Sequence, residues 1–239
     1  MGRAFEVRKV AMAKSAATKS KLYAKYGREI YLAAKQGSPD PDTNQTLKRM
    51  IEKAKREQVP ADVIKRNIDK AKGGTEDNLA SIRYEGFGPG NSMFIVECLT
   101  DNVNRTISEV RNCFTKTGGK LGVSGSVVHQ FNHQAVFAMR DITEDEVLEI
   151  LINHDIDVSD IETDDVGVTI YSDATNFNQI RVAFNDEKPE LEYDTEQIMW
   201  IPIMDTTLDS DEDKDKFERL TNMLDELDDV QDVYHNVSL

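Results

Sequence analysis

The chain has 239 residues and a formal net charge of −15, with 39% hydrophobic and 31% charged residues. This length is enough for two or three small domains. The longest apolar runs are only a handful of residues, which excludes a membrane-spanning helix. The basic N-terminus lacks the apolar segment of a secretory signal. Two cysteines, Cys98 and Cys113, cannot make a disulfide framework; both lie at apolar positions, so we expect buried thiols and a reducing cytoplasm.

The charge is divided unevenly along the chain. Residues 1–74 hold 18 Lys and Arg against 8 Asp and Glu, a net charge of +10, which leaves −25 on the remainder. Such an asymmetry indicates a part that binds polyanions joined to a solvated acidic body. The sequence pI of about 4.7 conceals this division, because it averages the two parts.

The N-terminal part combines a basic arm with three amphipathic helices. Residues 1–20 contain five Lys or Arg, one Glu and few large apolar side chains, which predicts an arm that is at least partly mobile. Helices are predicted over residues 21–36 and 46–58 and from Pro60 to Gly73-Gly74. Their apolar stripes predict a small bundle with basic outer faces: Leu22, Tyr26, Ile30 and Ala33; Leu47, Met50, Ile51 and Ala54; Val63, Ile64, Ile68 and Ala71.

The stretch from Arg83 to Val127 organises the rest of the chain. It predicts a turn, a buried strand over Met93 to Leu99, and a helix that begins after Thr100-Asp101-Asn102. Gly118-Gly119 would end this helix, and a second strand is expected over Ser126 to Phe131. Such a β-α-β half needs a second half to complete its sheet.

A second set of elements follows in the order β-α-β-β-α-β, which is typical of a ferredoxin-like unit. Its strands are predicted over residues 135–139, 157–162, 167–171 and 189–193, and its helices over 144–153 and 176–184. Extended segments over 197–204 and 230–237, with a helix over 211–227 between them, would then complete the first half.

These elements predict an α+β multidomain fold, with an N-terminal three-helix basic bundle followed by two ferredoxin-like α+β domains, one inserted in the other. The basic arm and bundle would occupy residues 1–80. The outer ferredoxin-like domain would use residues 81–132 plus 196–239, and the inserted domain residues 133–195.

Three uncommon segments, YEGFGPG, ECLTDNVNRT and GGKLGVSGSV, closely resemble the corresponding segments of the YebC/PmpR family, and the likeness covers nearly the whole chain. The resemblance implies a three-domain architecture and a role either in transcription regulation through DNA or, as in a mitochondrial relative, in translation. Many members begin Gly-His-Ser-Lys-Trp, whereas this chain has Gly2-Arg-Ala-Phe-Glu6, so it is similar to a divergent subgroup at the N-terminus.

Motifs for catalysis, metals and cofactors are weak in this sequence. The glycines of Gly86 to Gly90 surround Pro89, which lacks an amide donor, so a tight turn is favoured over a phosphate cradle. The acids at 209, 211 and 213 lack the glycine and glutamate of an EF-hand loop. His129 and His133 are four residues apart, but they straddle a predicted strand end and have no nearby Cys or carboxylate cluster, so zinc is not favoured. We therefore expect no enzyme activity, no cofactor and no metal site.

The basic N-terminal part is the candidate nucleic-acid-binding surface, because its excess charge persists over an arm and three helices. The expected phosphate contacts are Arg3, Arg8, Lys9, Lys14, Lys19, Lys21, Lys25, Arg28 and Lys35. Tyr31 is expected to be exposed for base stacking. Asn102, Asn104 and Arg105 form a second candidate, for a phosphate or a partner; helix capping with an ion pair is the structural alternative.

The sequence thus predicts a non-enzymatic regulatory protein of the cytoplasm that binds DNA or RNA through its N-terminal part, with a monomer favoured. Two alternatives stay open: a ribosome-associated translation factor, and a protein-protein adaptor whose basic end is incidental. Either the transcription machinery or the ribosome would be a partner, and no membrane partner is expected.

Overall fold

The computed structural model describes residues 19–72 and 79–238. Its helices are α1 (Lys19–Gln36), α2 (Gln45–Arg56), α3 (Ala61–Lys72), α4 (Val103–Lys116), α5 (Glu144–Asn153), α6 (Phe177–Glu187) and α7 (Asp211–Asp225). Its strands are β1 (Ala80–Phe87), β2 (Met93–Thr100), β3 (Lys120–Leu121), β4 (Phe131–Arg140), β5 (Asp160–Thr163), β6 (Gly167–Asp173), β7 (Tyr193–Pro202) and β8 (Val230–His235). The fold is therefore α+β and multidomain, as the sequence predicts.

The described residues form two compact units. The first contains residues 19–72, 79–127 and 208–235, and the second contains residues 128–207 and 236–238. The first unit comprises the helical bundle and a four-stranded sheet in the order β3-β1-β2-β8, and the second unit a four-stranded sheet in the order β5-β6-β4-β7. Neighbouring strands are antiparallel in both sheets.

The bundle forms because the three predicted apolar stripes meet in one core. Ile30, Leu47 and Ala54 are fully buried there. Asn44 joins α1 to α2: its side chain accepts a hydrogen bond from the Leu47 amide, 3.0 Å, and donates to the carbonyl oxygens of Ala33 and Ser38. A single capping residue therefore fixes both the start of α2 and the turn before it.

In the first sheet, β1 and β2 form a hairpin, and α4 and α7 supply apolar side chains to its core. The Phe94 ring on β2 meets Phe114 of α4 edge to face, with centroids 5.7 Å apart, and lies 5.5 Å from Phe217 of α7. Leu220 of α7 is fully buried. These aromatic contacts place both helices on one face of the sheet.

Three features of this sheet differ from the sequence prediction. Residues 80–87, expected as a turn from Arg83, form strand β1. The strand expected over Ser126 to Phe131 is absent: the two-residue β3 pairs with β1 instead, and Phe131 opens a strand of the second sheet. The order of elements is β-β-α-β followed by α-β, so this domain does not have ferredoxin-like connectivity. Local patterns predict a strand but do not specify its pairing partner.

The second sheet does have the predicted connectivity, β-α-β-β-α-β, with the strand order of a ferredoxin-like domain. Its helices cover one face, where Phe137, Ile170 and Ile180 are fully buried. The segment 197–204, assigned above to the outer domain, belongs largely to β7, which pairs with β4 from Phe131↔Pro202 to Met139↔Tyr193. The two strands predicted over 189–193 and 197–204 are thus one strand of the second sheet.

The glycine-rich motifs of the first unit contact one another around β1. A Cβ atom at Gly86 would lie 2.5 Å from the Phe114 ring, and one at Gly119 would lie 2.5 Å from the Phe87 carbonyl oxygen. Glycine is therefore needed at both positions to let α4 and β3 approach β1. The turn of Pro89–Asn91 then leads directly into β2.

Glu85 fastens the loop between β3 and β4 to β1. Its side chain is buried, and its carboxylate accepts hydrogen bonds from the amides of Gly125, 2.8 Å, and Val127, 2.6 Å. Its carbonyl oxygen also accepts from the Gly122 amide, 2.8 Å. A buried carboxylate is tolerated because backbone donors replace its lost water contacts.

Asp229 is the second buried carboxylate of the first unit, at 3% exposure just before β8. Its Oδ2 accepts hydrogen bonds from Arg105, 2.8 Å, Thr106, 2.8 Å, and Thr100, 3.0 Å. Its Oδ1 lies 3.3 Å from the guanidinium of Arg28 on α1. Burial favours the neutral acid, but the three hydrogen bonds outweigh it and lower the pKa of Asp229.

We predict that Glu85→Gln loosens the loop between β3 and β4. An amide group presents an N–H to one of the two backbone donors, so one buried donor loses its acceptor, at a cost of about 1–3 kcal/mol. Urea unfolding should show this loss, and amide hydrogen exchange at Gly125 and Val127 should quicken. Glu218→Gln, on the exposed side of α7, is the matched control; equal exchange rates in both variants would contradict the role of Glu85.

We also predict that Asp229 stabilises the fold only where its carboxylate is ionised. Because the folded state lowers the pKa of Asp229, its contribution is fully present above the unfolded pKa of about 3.9 and is lost as the pH falls through the folded pKa. Asp229→Asn should therefore cost about 1–3 kcal/mol at neutral pH. The difference from the native chain should shrink in acid.

Urea unfolding of both proteins between neutral pH and pH about 3 measures this difference. Asp228→Asn, at the exposed neighbouring position, is the control and should change stability little at any pH. A cost for Asp229→Asn that does not depend on pH would show that the carboxylate charge is irrelevant.

Candidate nucleic-acid interface

The expected phosphate contacts begin outside the described residues. Arg3, Arg8, Lys9 and Lys14, together with most of the predicted arm, precede Lys19, which is the first residue of α1. Of the expected contacts, those whose side chains are described are Lys21, Lys25, Arg28 and Lys35.

Lys25 and Arg28 of α1 contact an acidic segment at the end of α7 and the start of β8. We call Asp225, Glu226, Asp228, Asp229 and Asp232 the acidic junction. The Lys25 ammonium lies 3.3 Å from an oxygen of Asp232 and also donates to the Gln231 carbonyl. Arg28 pairs with Asp229 and donates to the Asp228 carbonyl. In this arrangement both charges are already balanced by acceptors of the first unit.

The electrostatics of these cations follow from burial and from the acidic junction. At Lys21, partial burial lowers the pKa and outweighs the opposing charges of Asp225, Asp228 and Glu226. At Lys25, burial also opposes the charged form, but Asp232 and other acids prevail and raise the pKa. The charged face of α1 therefore lies against carboxylates, which the helical pattern alone does not predict.

Lys35 and Lys70 lie around Tyr31. The Lys35 ammonium is 3.2 Å from the Tyr31 hydroxyl, and the ammonium of Lys70 on α3 is 5.4 Å from the centre of the ring. Tyr31 itself is only 2% exposed. The expectation that Tyr31 is exposed for base stacking is therefore wrong, because the bundle and these two lysines cover its ring.

Apart from Lys35 of α1, the exposed cations of the bundle lie on α2 and α3, and none of these is among the expected contacts. Helix α2 carries five Lys or Arg against one Glu, and α3 carries four against two Asp. Two of the α3 cations have nearby acids on the same helix, Arg66–Asp62 at 4.0 Å and Lys72–Asp69 at 3.3 Å. The exposed set is Lys48, Lys55, Arg56, Lys65, Arg66, Lys70 and Lys72.

Three of these side chains, Lys48, Lys55 and Lys65, have no ion pair with any residue in the described ranges 19–72 and 79–238. Lys48 and Lys55 are seven residues apart on α2 and so lie on the same flank of the helix. The signal that could have identified them is the strong amphipathic pattern of α2, whose polar side is almost wholly basic.

A cleft of about 600 Å³ separates the bundle from the outer sheet. Arg28 and Lys70 line it on the bundle side, while Arg105, Glu226 and Asp228 line the opposite side. Because both signs of charge face the same space, this cleft has no preference for a polyanion.

The second candidate consists of Asn102, Asn104 and Arg105. Its geometry is that of helix capping combined with ion pairs. The Asn102 side chain accepts from the Arg105 amide, 3.1 Å, and caps α4. The Arg105 guanidinium contacts Asp101 and Asp229, at 2.7 and 2.8 Å. Asn104 is exposed, and its carbonyl accepts from Ser108. Capping and ion pairing thus account for Asn102 and Arg105.

The described residues show neither a metal-binding cluster nor a membrane-spanning helix. Within residues 19–72 and 79–238, no three His, Cys, Asp or Glu side chains are grouped so that they could hold a metal ion. None of the helices in the same ranges combines the length and apolar character needed to cross a membrane.

Two family models match the chain over most of its length. The N-terminal domain of TACO1/YebC proteins matches residues 3–74, and the second and third domains of TACO1/YebC match residues 79–237. Together these matches span the bundle and both sheets.

Individual relatives agree with these models. A protein of Acholeplasma laidlawii named "Probable transcriptional regulatory protein" is 59% identical over 99% of this chain and 98% of its own length. A protein of Alteromonas mediterranea with the same description is 55% identical over 99% of this chain and 98% of its own length.

Among solved structures, the crystal structure of the conserved hypothetical protein Aq1575 from Aquifex aeolicus is similar, with a TM-score of 0.80 and 35% identity. The match covers 95% of this chain and 93% of that chain. The resemblance drawn from the three sequence motifs is thereby confirmed: the chain belongs to the TACO1/YebC family.

Proposed function

We propose that this chain is a non-enzymatic regulatory protein that binds nucleic acid, and DNA in particular, through its basic N-terminal part. Lysine and arginine side chains of residues 1–74 would neutralise backbone phosphates and release their counterions. The two sheets would orient this part and offer surfaces to protein partners.

The observation that carries the proposal is the set of exposed cations on α2 and α3. Lys48, Lys55 and Lys65 are exposed and belong to a region with a net charge of +10. Cations without carboxylate partners retain their full attraction for phosphate, whereas those in ion pairs must first lose a partner. We therefore base the interface on α2, α3 and the arm, with the α1 cations engaged only after they leave the acidic junction.

The names of the relatives favour transcription. The proteins of Acholeplasma laidlawii and Alteromonas mediterranea are both named as transcriptional regulatory proteins. A DNA partner is consistent with those names, and contact with phosphates would supply affinity without specifying sequence.

A second candidate function is a translation factor that contacts the ribosome. It is favoured by the charge of −25 outside residues 1–74, since an acidic surface repels free DNA but attracts the basic tails of ribosomal proteins. In that case the same basic helices would meet RNA. Competition between duplex DNA and ribosomal RNA for the full-length chain discriminates between the two candidates.

We predict a strongly salt-dependent affinity for duplex DNA. If about six phosphates are neutralised, the slope of log K against log salt should be near −5. Replacing Arg3, Arg8, Lys9 and Lys14 together by Ala should make this slope shallower by about 2 to 3, if the arm supplies about half of the phosphate contacts. Fluorescence anisotropy of labelled DNA at several salt concentrations measures both slopes. A flat salt dependence of the native chain would refute the proposed function.

We further predict that Lys48→Ala, Lys55→Ala and Lys65→Ala each weaken DNA binding and each reduce the slope by about 0.9. Lys214→Ala removes the same charge from the acidic helix α7 and is the matched control; it should not reduce the slope. Equal effects of the control and the bundle variants would show that only net charge matters, and would contradict an interface on α2 and α3.

A further inference from the structure

The cations of α1 contact carboxylates and main-chain carbonyls of the acidic junction. Lys21, Lys25 and Arg28 lie along one side of the helix, within the N-terminal part that would bind nucleic acid. In the structure, the side chain of Asp232 lies 3.3 Å from Lys25, and that of Asp229 lies 3.3 Å from Arg28. Main-chain carbonyls of Asp228 and Gln231 accept further hydrogen bonds from the same two cations.

This contact is mainly electrostatic. Helix α1 packs chiefly against α2 and α3 of its own bundle rather than against the strands of the first sheet. The side chains of Lys25 and Arg28 keep 22% and 27% of their surface exposed. Their partners Asp232 and Asp229 are 19% and 4% exposed, so solvent and salt reach these pairs mainly from the cation side. A dense array of phosphates can therefore compete for the two cations.

The acidic junction would keep its own hydrogen bonds if α1 moved away from it. Asp229 keeps hydrogen bonds from Arg105, Thr106 and Thr100 when Arg28 is withdrawn. Asp229, the buried carboxylate of the junction, is then not left without a partner, which would otherwise make separation costly. The junction is therefore anchored to the outer sheet independently of the bundle.

We propose that the acidic junction is an autoinhibitory contact: its carboxylates occupy the α1 cations in place of phosphate, and nucleic acid must displace them to engage α1. We call this occupation of the α1 cations by carboxylates masking. The proposal rests on the proposed function, because masking has a consequence only if these cations bind phosphate. The apparent affinity equals the intrinsic affinity multiplied by the fraction of molecules in which α1 is released, so the contact lowers it. It thereby reduces loose binding to isolated phosphates while a long polyanion still binds.

The test is a junction variant of the full-length chain that carries Asp225→Asn, Asp228→Asn and Asp232→Asn. These substitutions remove the charges around Lys21 and Lys25 but spare Asp229, so the buried network remains. Affinity for short duplex DNA at low salt should rise about tenfold, and the slope of log K against log salt should become steeper by about 2, as two further cations meet phosphate.

The matched control carries Asp209→Asn, Asp215→Asn and Glu218→Gln. It removes the same number of negative charges from exposed positions in and just before α7. Its affinity should rise only as far as the change in net charge dictates, and its slope should stay that of the native chain.

A second measurement follows the contact without any nucleic acid. Spin labels on Thr46→Cys of α2 and Arg219→Cys of α7 report the separation of the bundle from the outer domain, because Cys98 and Cys113 are buried. In the junction variant the measured distances should lengthen or broaden at low salt. In the control variant they should match the native chain.

The outcomes separate the two proposals. If the native chain binds DNA but the junction variant gains no more affinity than the control, masking is refuted and the proposed function stands. Unchanged label distances in the junction variant also refute masking. If no form of the protein binds DNA or RNA, the proposed function fails and masking fails with it.

Discussion

The buried carboxylate of Asp229 is the contact on which the arrangement of the first unit depends. It receives hydrogen bonds from β2 and α4 through Thr100, Thr106 and Arg105, and it faces Arg28 of the helical bundle. One residue therefore links the sheet, the helix that crosses it and the N-terminal part. A carboxylate can do this because it accepts several hydrogen bonds at once and its charge holds cations from different elements in the same place.

A second buried carboxylate explains why the glycine-rich motifs of the family are found together. Glu85 holds the amides of Gly125 and Val127, while Gly86 leaves room for the Phe114 ring. The motifs are thus parts of one packing arrangement around β1. Their glycines allow close approach of backbone and ring, rather than forming a phosphate cradle, so the features that identify the family serve chiefly to build the outer domain.

The opposite charges of the two parts of the chain meet within the first unit. The basic region supplies α1, whose Lys25 and Arg28 face the acidic junction, and it also supplies α2 and α3, whose lysines face solvent. The same excess of positive charge therefore has two roles. One portion attaches the bundle to the outer domain, and the other is available to a polyanion, as a regulatory protein that binds nucleic acid would require.

The sequence by itself determined the helices, the fold class and the family. Helix α5 begins and ends where the apolar spacing of residues 144–153 predicts, and a capping box of Thr143 and Glu146 fixes its start, because these signals are local to the chain. Only the tertiary structure decided that residues 197–202 pair with β4, and that Tyr31 is buried. It likewise decided that Lys25 and Arg28 face carboxylates about 200 residues away in sequence. Hydrophobic periodicity predicts which face of a helix or strand is buried. Strand partners and ion pairs depend instead on segments that are distant in the chain.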